Sequence, residues 1–307
     1  MGTYAILDVE GVKQFIHGGA GVVIDVLPPE HCEAWRLPGA ENACVFEVAF
    51  AANMAKLVPD KATPIVLYGA GTHSRDVHEA AIKLERLGYS DIRIFEGGLA
   101  AWRAAGLALE GNATASDDPP HPALQVDGVR YGLLPEQCSL RWAGRNDNSM
   151  HYGTIKAAGG WLDGVSLTGE VVLDMRSIAN EDLVGDPLQP VLVEHLNSDD
   201  FFFTTVFPTA DVKIISLRPL PDGSPTLPNY GMEAILSLRG VGRTIQAPVH
   251  LRNVGPERQE LALIGHMNID RTEWGIIYGS ARFFCNLSYH VVYDHVTIDF
   301  RMVFGKS

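Results

Sequence analysis

The stretch Val296–Phe304, VTIDFRMVF, sets Val296, Ile298, Phe300, Met302 and Phe304 on one face and Thr297, Asp299 and Arg301 on the other. A period of two belongs to a strand with one dry face. Leu261, Leu263, Gly265, Met267 and Ile269 repeat it upstream, and strand-period runs broken by Gly and Pro turns fill most of the chain beyond residue 125. Half-buried strands in series read as an antiparallel sandwich or barrel, and closure into a barrel removes the edges that an open sheet must protect. One helical stretch, Pro190–Phe202, interrupts the series.

The first part of the chain has a different rhythm. Short β-rich runs at Gly21–Val26, Pro64–Tyr68 and Asp91–Phe95 alternate with helical ones. In Ser74–Leu87, Val77, Ala81 and Leu84 make one apolar stripe, and Gly88 follows as the helix stop. Strands alternating with helices imply a parallel sheet covered on both faces. Between the two patterns ATASDDPPHPAL has almost nothing to bury, so the expected division is 1–112, a linker over 113–124, and 125–307.

The chain has 307 residues, 46% hydrophobic and 20% charged, with a formal charge of -13. That balance excludes disorder, and the absence of a Lys/Arg run argues against nucleic acid and anionic membrane surfaces as partners. No stretch reaches the roughly 18 apolar residues of a spanning helix, and the first residues carry neither a basic segment nor an apolar one. The expectation is a cytoplasmic protein without membrane insertion. Cys32, Cys44, Cys138 and Cys285 are far apart with no C-x-x-C pair, which points to reduced thiols rather than a zinc or redox site. No cofactor or metal is expected, and a homodimer is compatible with the sequence.

The turn after Tyr68 reads Gly69, Ala70, Gly71, Thr72, His73, Ser74, Arg75. Backbone N–H groups gathered there at a helix N-terminus favour anions, although the turn lacks the third Gly of a dinucleotide fingerprint. His73 and His78 are five apart, which does not put both on one helix face as metal ligands. Around this turn stand Val23-Ile24-Asp25, Leu37-Pro38-Gly39-Ala40, Leu87-Gly88-Tyr89 and the run Glu96-Gly97-Gly98 to Ala101-Trp102-Arg103-Ala104-Ala105-Gly106. By these motifs the region resembles a rhodanese domain. The resemblance implies a catalytic Cys at the first position of the turn, where its thiolate would carry a persulfide sulfur. Here that position is Gly69, and no cysteine occurs between Cys44 and Cys138. The module is therefore expected to be an inactive sulfurtransferase kept for anion binding or docking. A hydrolase using Ser74 and His73 is the catalytic alternative, and it lacks an orienting acid.

In the second half, Tyr131–Trp142, His151-Tyr152-Gly153, Thr168–Ile178, His195–Phe202, Phe207-Pro208, Leu238–Thr244 and Ile269–Ile276 occur in order. By these segments the half resembles the YceI-like, polyisoprenoid-binding family, with departures at Leu134, Cys138 and Phe203. The resemblance implies a lipocalin-like antiparallel barrel with a short helix, whose interior holds an isoprenoid or other long-chain lipid. The expected function is non-catalytic lipid carriage, and the alternative is an interaction scaffold with its barrel filled by side chains. Large residues in or beside the alternating strands are the candidate ligand wall: Trp142, Phe201, Phe203, Tyr230, Met232, Met267, Trp274 and Phe283. Arg239, Arg243 and Arg271 are candidates either to clasp a pyrophosphate head or to pair with Asp270 or Glu233.

Overall fold

The structure is a computed structural model that describes residues 4–19, 21–112, 123–221 and 225–306. The chain divides into two compact units, Met1–Asp118 and Pro119–Ser307. Most of the expected linker, 113–122, lies outside the described residues.

The first unit contains β1 (Ala5–Ile6), α1 (Val9–Gly18), β2 (Val22–Asp25), α2 (Pro29–Ala34), β3 (Glu41–Asn42), α3 (Phe50–Leu57), β4 (Ile65–Tyr68), α4 (Asp76–Arg86), β5 (Ile92–Phe95) and α5 (Gly98–Ala104). Its strands form one parallel sheet in the order β1-β5-β4-β2-β3. All four residues of β4 are buried, as a strand covered on both faces requires. On α4 the stripe Val77, Ala81 and Leu84 is fully packed. Gly88 follows with φ +90°, a left-handed conformation that suits glycine. The helix starts two residues later than the sequence suggests, because Ser74 N–H closes a turn onto the Gly71 carbonyl at 2.9 Å.

The second unit contains β6 (Arg130–Leu133), β7 (Ser139–Arg145), β8 (Met150–Asp163), β9 (Gly169–Asn180), α6 (Leu188–Asn197), β10 (Thr209–Pro219), β11 (Tyr230–Leu238), β12 (Val241–Val254), β13 (Glu260–Asp270) and β14 (His295–Lys306). Neighbours from β8 to β14 pair antiparallel in sequence order, and β6 and β7 each bridge β14 to β8. Since β6 and β7 share one position, the result is a closed barrel of eight positions. Along β11, Met232, Ala234, Leu236 and Leu238 are buried with half-buried residues between them, and β12 does the same with Ile245, Ala247, Val249 and Leu251. The helix expected over Pro190–Phe202 runs instead over Leu188–Asn197. Pro190 falls in its first turn, where a missing N–H costs nothing. Ser198 ends it, with Phe203 beyond in a left-handed backbone at φ +49°.

The registers show that the two barrel ends differ. At the end of the β8–β9, β10–β11 and β12–β13 connections, Tyr131, Leu162, Leu251, Leu261 and Phe304 are almost wholly buried and form a plug. At the other end lie the β7–β8 hairpin, the β9–β10 connection carrying α6, and the long β13–β14 connection. Each unit has its own buried apolar clusters, so fragments 1–112 and 125–307 are each expected to unfold cooperatively when expressed alone. Loss of the thermal transition in both fragments would refute that division.

Candidate functional site

In the first unit, the turn after β4 wraps around the carboxyl group of Asp76. Asp76, at the start of α4 and 3% exposed, accepts the Ala70 N–H at 3.0 Å and the Ser74 hydroxyl at 2.8 Å on Oδ2, and the Val77 N–H at 2.7 Å on Oδ1. A Cβ added at Gly69 would fall onto that carboxyl group. The Ser74 hydroxyl, the nucleophile of the hydrolase alternative, donates to Asp76, and His78 on the same helix lies 3.1 Å from Glu96. Beneath the turn, Tyr68 donates to Asp25 Oδ2 at 2.7 Å and accepts the Leu37 N–H at 3.0 Å, while Leu27 N–H holds Asp25 Oδ1 at 2.8 Å. Burial raises the Asp25 carboxyl against those hydrogen bonds. Burial, reinforced by the Asp25 charge, pushes the nearby Cys32 thiol up to about 12, so its thiolate fraction at neutral pH is on the order of 10⁻⁵.

The second unit holds a cavity of about 370 Å³, within the size range of small-molecule sites. Inward residues of the strands make its apolar wall, among them Ile155, Leu173, Ile214, Leu236 and Leu263. Four of the eight expected wall residues meet there: Trp142 on β7, Phe201 after α6, Met232 on β11 and Met267 on β13. The other four do not line it. Phe203 packs edge-on against Phe207, as its left-handed backbone ends the turn after α6. Tyr230 opens β11 opposite Val249, toward the plugged end. Trp274 is 2% exposed and spends its indole N–H on the Leu236 carbonyl at 3.0 Å. Phe283 lies on the β13–β14 connection and is half exposed.

The three arginines all donate to backbone carbonyls. Arg271 is buried and donates to the carbonyls of Tyr293, Ile276 and Val292 at 3.1, 2.7 and 2.9 Å. Arg239 donates to the Phe201 carbonyl and Arg243 to the Glu273 carbonyl. Asp270 pairs instead with Arg282 at 2.9 Å, and Glu233 accepts from Gln246. Each of the three guanidinium groups thus donates to a backbone carbonyl, and Arg271 also lines the cavity.

Polar wall residues that the sequence reading did not single out gather at the unplugged end. Arg145, Asn146 and His151 come from the β7–β8 hairpin, His195 from α6, and Tyr278, Tyr289 and Tyr293 from the β13–β14 connection. His195 stands edge-on to Phe201 and Tyr278, with centroids at 4.9 and 4.6 Å, and its Nε2 lies 3.1 Å from Asp200. His151 shares the parity of the inward residues Gly153, Ile155 and Ala157 on β8, and a polar residue on an apolar face is the signal that could have marked it. Burial works to raise its partner Asp182, yet donation by Tyr152 N–H, His151 and Asn180 holds that carboxyl below the ordinary aspartate range. Trp142, 7% exposed, leaves its Nε1–H without a hydrogen-bond partner in the apolar wall.

Residues 131–304 match the YceI-like domain family and residues 8–105 match the Rhodanese-like domain family. Among solved structures, BcnA of Burkholderia cenocepacia is 18% identical, covering 56% of this chain and 98% of its own, with a TM-score of 0.43. A polyisoprenoid binding domain from Saccharophagus degradans is 15% identical, covering 58% and 98%, with a TM-score of 0.43. The Alr3790 protein from Anabaena is 25% identical over 36% of this chain and 94% of its own, with a TM-score of 0.31. No curated protein matches the chain. Among the described residues no helix is long and apolar enough to cross a membrane.

Proposed function

The chain belongs to the YceI-like family through residues 131–304, and from that premise we propose that its barrel takes up one long-chain lipid, an isoprenoid or a fatty chain of at least about fifteen carbons. The observation that carries this reading is the cavity of about 370 Å³ left inside a wall of apolar side chains. A barrel acting only as a scaffold has no reason to keep that space unpacked, since unfilled apolar volume lowers stability. Fifteen methylene groups at ~0.8 kcal/mol each make about 12 kcal/mol of gross transfer energy. Even after half or more is lost to immobilisation, micromolar affinity remains. The polar end of the cavity is the place for the head group. Its unpaired Trp142 Nε1–H favours a ligand with an acceptor oxygen near the start of the chain. Free thiols at Cys32, Cys44, Cys138 and Cys285 fit a reducing, cytoplasmic setting.

The test is native mass spectrometry of gently purified full-length protein, followed by delipidation and titration with farnesol and with a fluorescent fatty-chain probe. One bound chain per protein is expected. No copurified lipid and no saturable uptake of either probe would overturn the reading.

For the rhodanese-like module we propose no sulfur transfer. Thiosulfate with cyanide is expected to give turnover at background. Gly69→Cys alone is expected to leave it there. Gly69 is not in a left-handed conformation that a side chain would resist; the obstacle is the Asp76 carboxyl group occupying the space. Turnover by the unmodified protein that disappears in Cys32→Ser or Cys44→Ser would refute this.

A further inference from the structure

At the unplugged end of the barrel, three side chains form a hydrogen-bonded series. Ser149 Oγ lies 3.3 Å from His151 Nε2, and His151 Nδ1 lies 2.8 Å from Asp182 Oδ2. The other oxygen of Asp182 is held by the Tyr152 N–H at 2.8 Å and Asn180 Nδ2 at 2.6 Å, which fixes the carboxylate. An ionised carboxylate only accepts, so Nδ1 carries a proton, and in the neutral ring Nε2 is the nitrogen with the lone pair. The Ser149 hydroxyl is then the donor between Oγ and Nε2. That is the tautomer in which a histidine withdraws a serine proton. The competing acceptor, Asn146 Oδ1 at 3.2 Å, already receives the N–H groups of Asn148 and Ser149.

The same place offers room and a free donor. His151 lines the cavity, and its cross-strand partner Gly144 has no atom within 4 Å of where a Cβ would sit. One inward step along β7 is Trp142, paired with Gly153, a diagonal neighbour of His151 at a typical separation of about 7–8 Å. Its buried Nε1–H has no partner, so it is available to a carbonyl oxygen. A chain lying in the apolar cavity brings its polar end to Trp142 and His151, which line it, with Ser149 Oγ 3.3 Å from the imidazole.

We propose that Ser149, His151 and Asp182 hydrolyse a carboxylic ester of a long-chain lipid, a reading that rests on the cavity as the site of the chain. Ser149 Oγ attacks the acyl carbon while its proton passes to His151 Nε2. The bond from carbon to the alcohol oxygen breaks, and the alcohol leaves with that proton. Water then adds to the acyl-serine, giving its proton to His151, and the carboxylic acid departs as Ser149 regains a proton. Asp182 is a positioning residue that keeps the imidazole in the working tautomer and stabilises its cation.

The test uses the full chain with a fluorophosphonate reagent, p-nitrophenyl decanoate and p-nitrophenyl acetate. Intact and peptide mass spectrometry are expected to show one adduct per protein on Ser149, and the decanoate to react faster than the acetate. Ser149→Ala should lower decanoate hydrolysis at least about 100-fold. Asp182→Asn should lower kcat with KM held, a split that a purely structural role in the hairpin would not produce. Uptake of the fluorescent fatty-chain probe by Ser149→Ala is followed in parallel. Normal uptake with no Ser149 adduct, and hydrolysis unchanged by Ser149→Ala, would overturn the hydrolase and leave lipid binding standing. A Ser149 adduct without uptake would support the activated serine and overturn the lipid reading.

Discussion

Met232→Glu is expected to weaken uptake of a long-chain lipid by at least about 100-fold. Met232 sits on β11 between Leu217 and Ala247 in register, 4% exposed, with its side chain on the cavity wall. A carboxylate there has no polar partner in the apolar wall, and a chain that enters removes the water that reaches it through the open end. The desolvation cost is several kcal/mol for an ion without a partner, and the share that remains when the chain displaces water falls on binding. About 3 kcal/mol corresponds to the stated factor at 1.4 kcal/mol per decade. Ala210→Phe is the uncharged counterpart: Ala210 lines the same wall on β10, and a ring there occupies the space of the chain. Fluorescent-probe titration, with circular dichroism to check folding, reads both. Wild-type affinity in either folded variant would contradict the placement of the lipid in this cavity.

The second large effect is expected at Arg271. Its guanidinium ties the β13–β14 connection to the barrel through three backbone carbonyls, with Asp294 a further 3.8 Å away. Burial pulls the Arg271 pKa down, opposed by the charges of Asp294 and Asp270, yet the three carbonyl bonds need the full fork of donors. Arg271→Met leaves those acceptors unsatisfied, at about 3–5 kcal/mol for breaking a buried charged network. For a unit of this size that is a drop in Tm of roughly 10 °C. Arg271→Lys should recover little, since one ammonium cannot reach three diverging carbonyls. A change in Tm within about 2 °C for Arg271→Met, measured by calorimetry, would show that the connection is held by other contacts.

Much of this protein is legible in its sequence. Val296 to Phe304 and Leu261 to Ile269 show a period of two, which places them in strands of an antiparallel sandwich or barrel. The stripe of Val77, Ala81 and Leu84 gave α4 its buried face. Local periodicity succeeds there because it follows from side-chain geometry within one element. Trp142, Phe201, Met232 and Met267 were also legible as wall residues, being large and at inward or adjoining positions.

The other four large residues lie away from the cavity for a nonlocal reason. Parity states which face a side chain takes, but its depth along the barrel depends on strand registers. Tyr230 shares the alternating region with Met232 and still falls toward the plugged end, while Trp274 is drawn into the core by the Leu236 carbonyl. Phe203 itself takes a left-handed backbone and packs on Phe207, a conformation that no spacing rule foretells.

By itself the sequence determined the two architectures, the dry face of the barrel strands and the absence of a cysteine at Gly69, because each is written in neighbouring residues. Only the tertiary structure decided that Asp76 folds back into the turn it follows, and that Asp182 meets His151 across 31 residues to complete a series with Ser149. It alone left one end of the barrel open and plugged the other. Those outcomes depend on cross-strand register and chain closure, which bring together groups whose separation in sequence carries no trace of their contact.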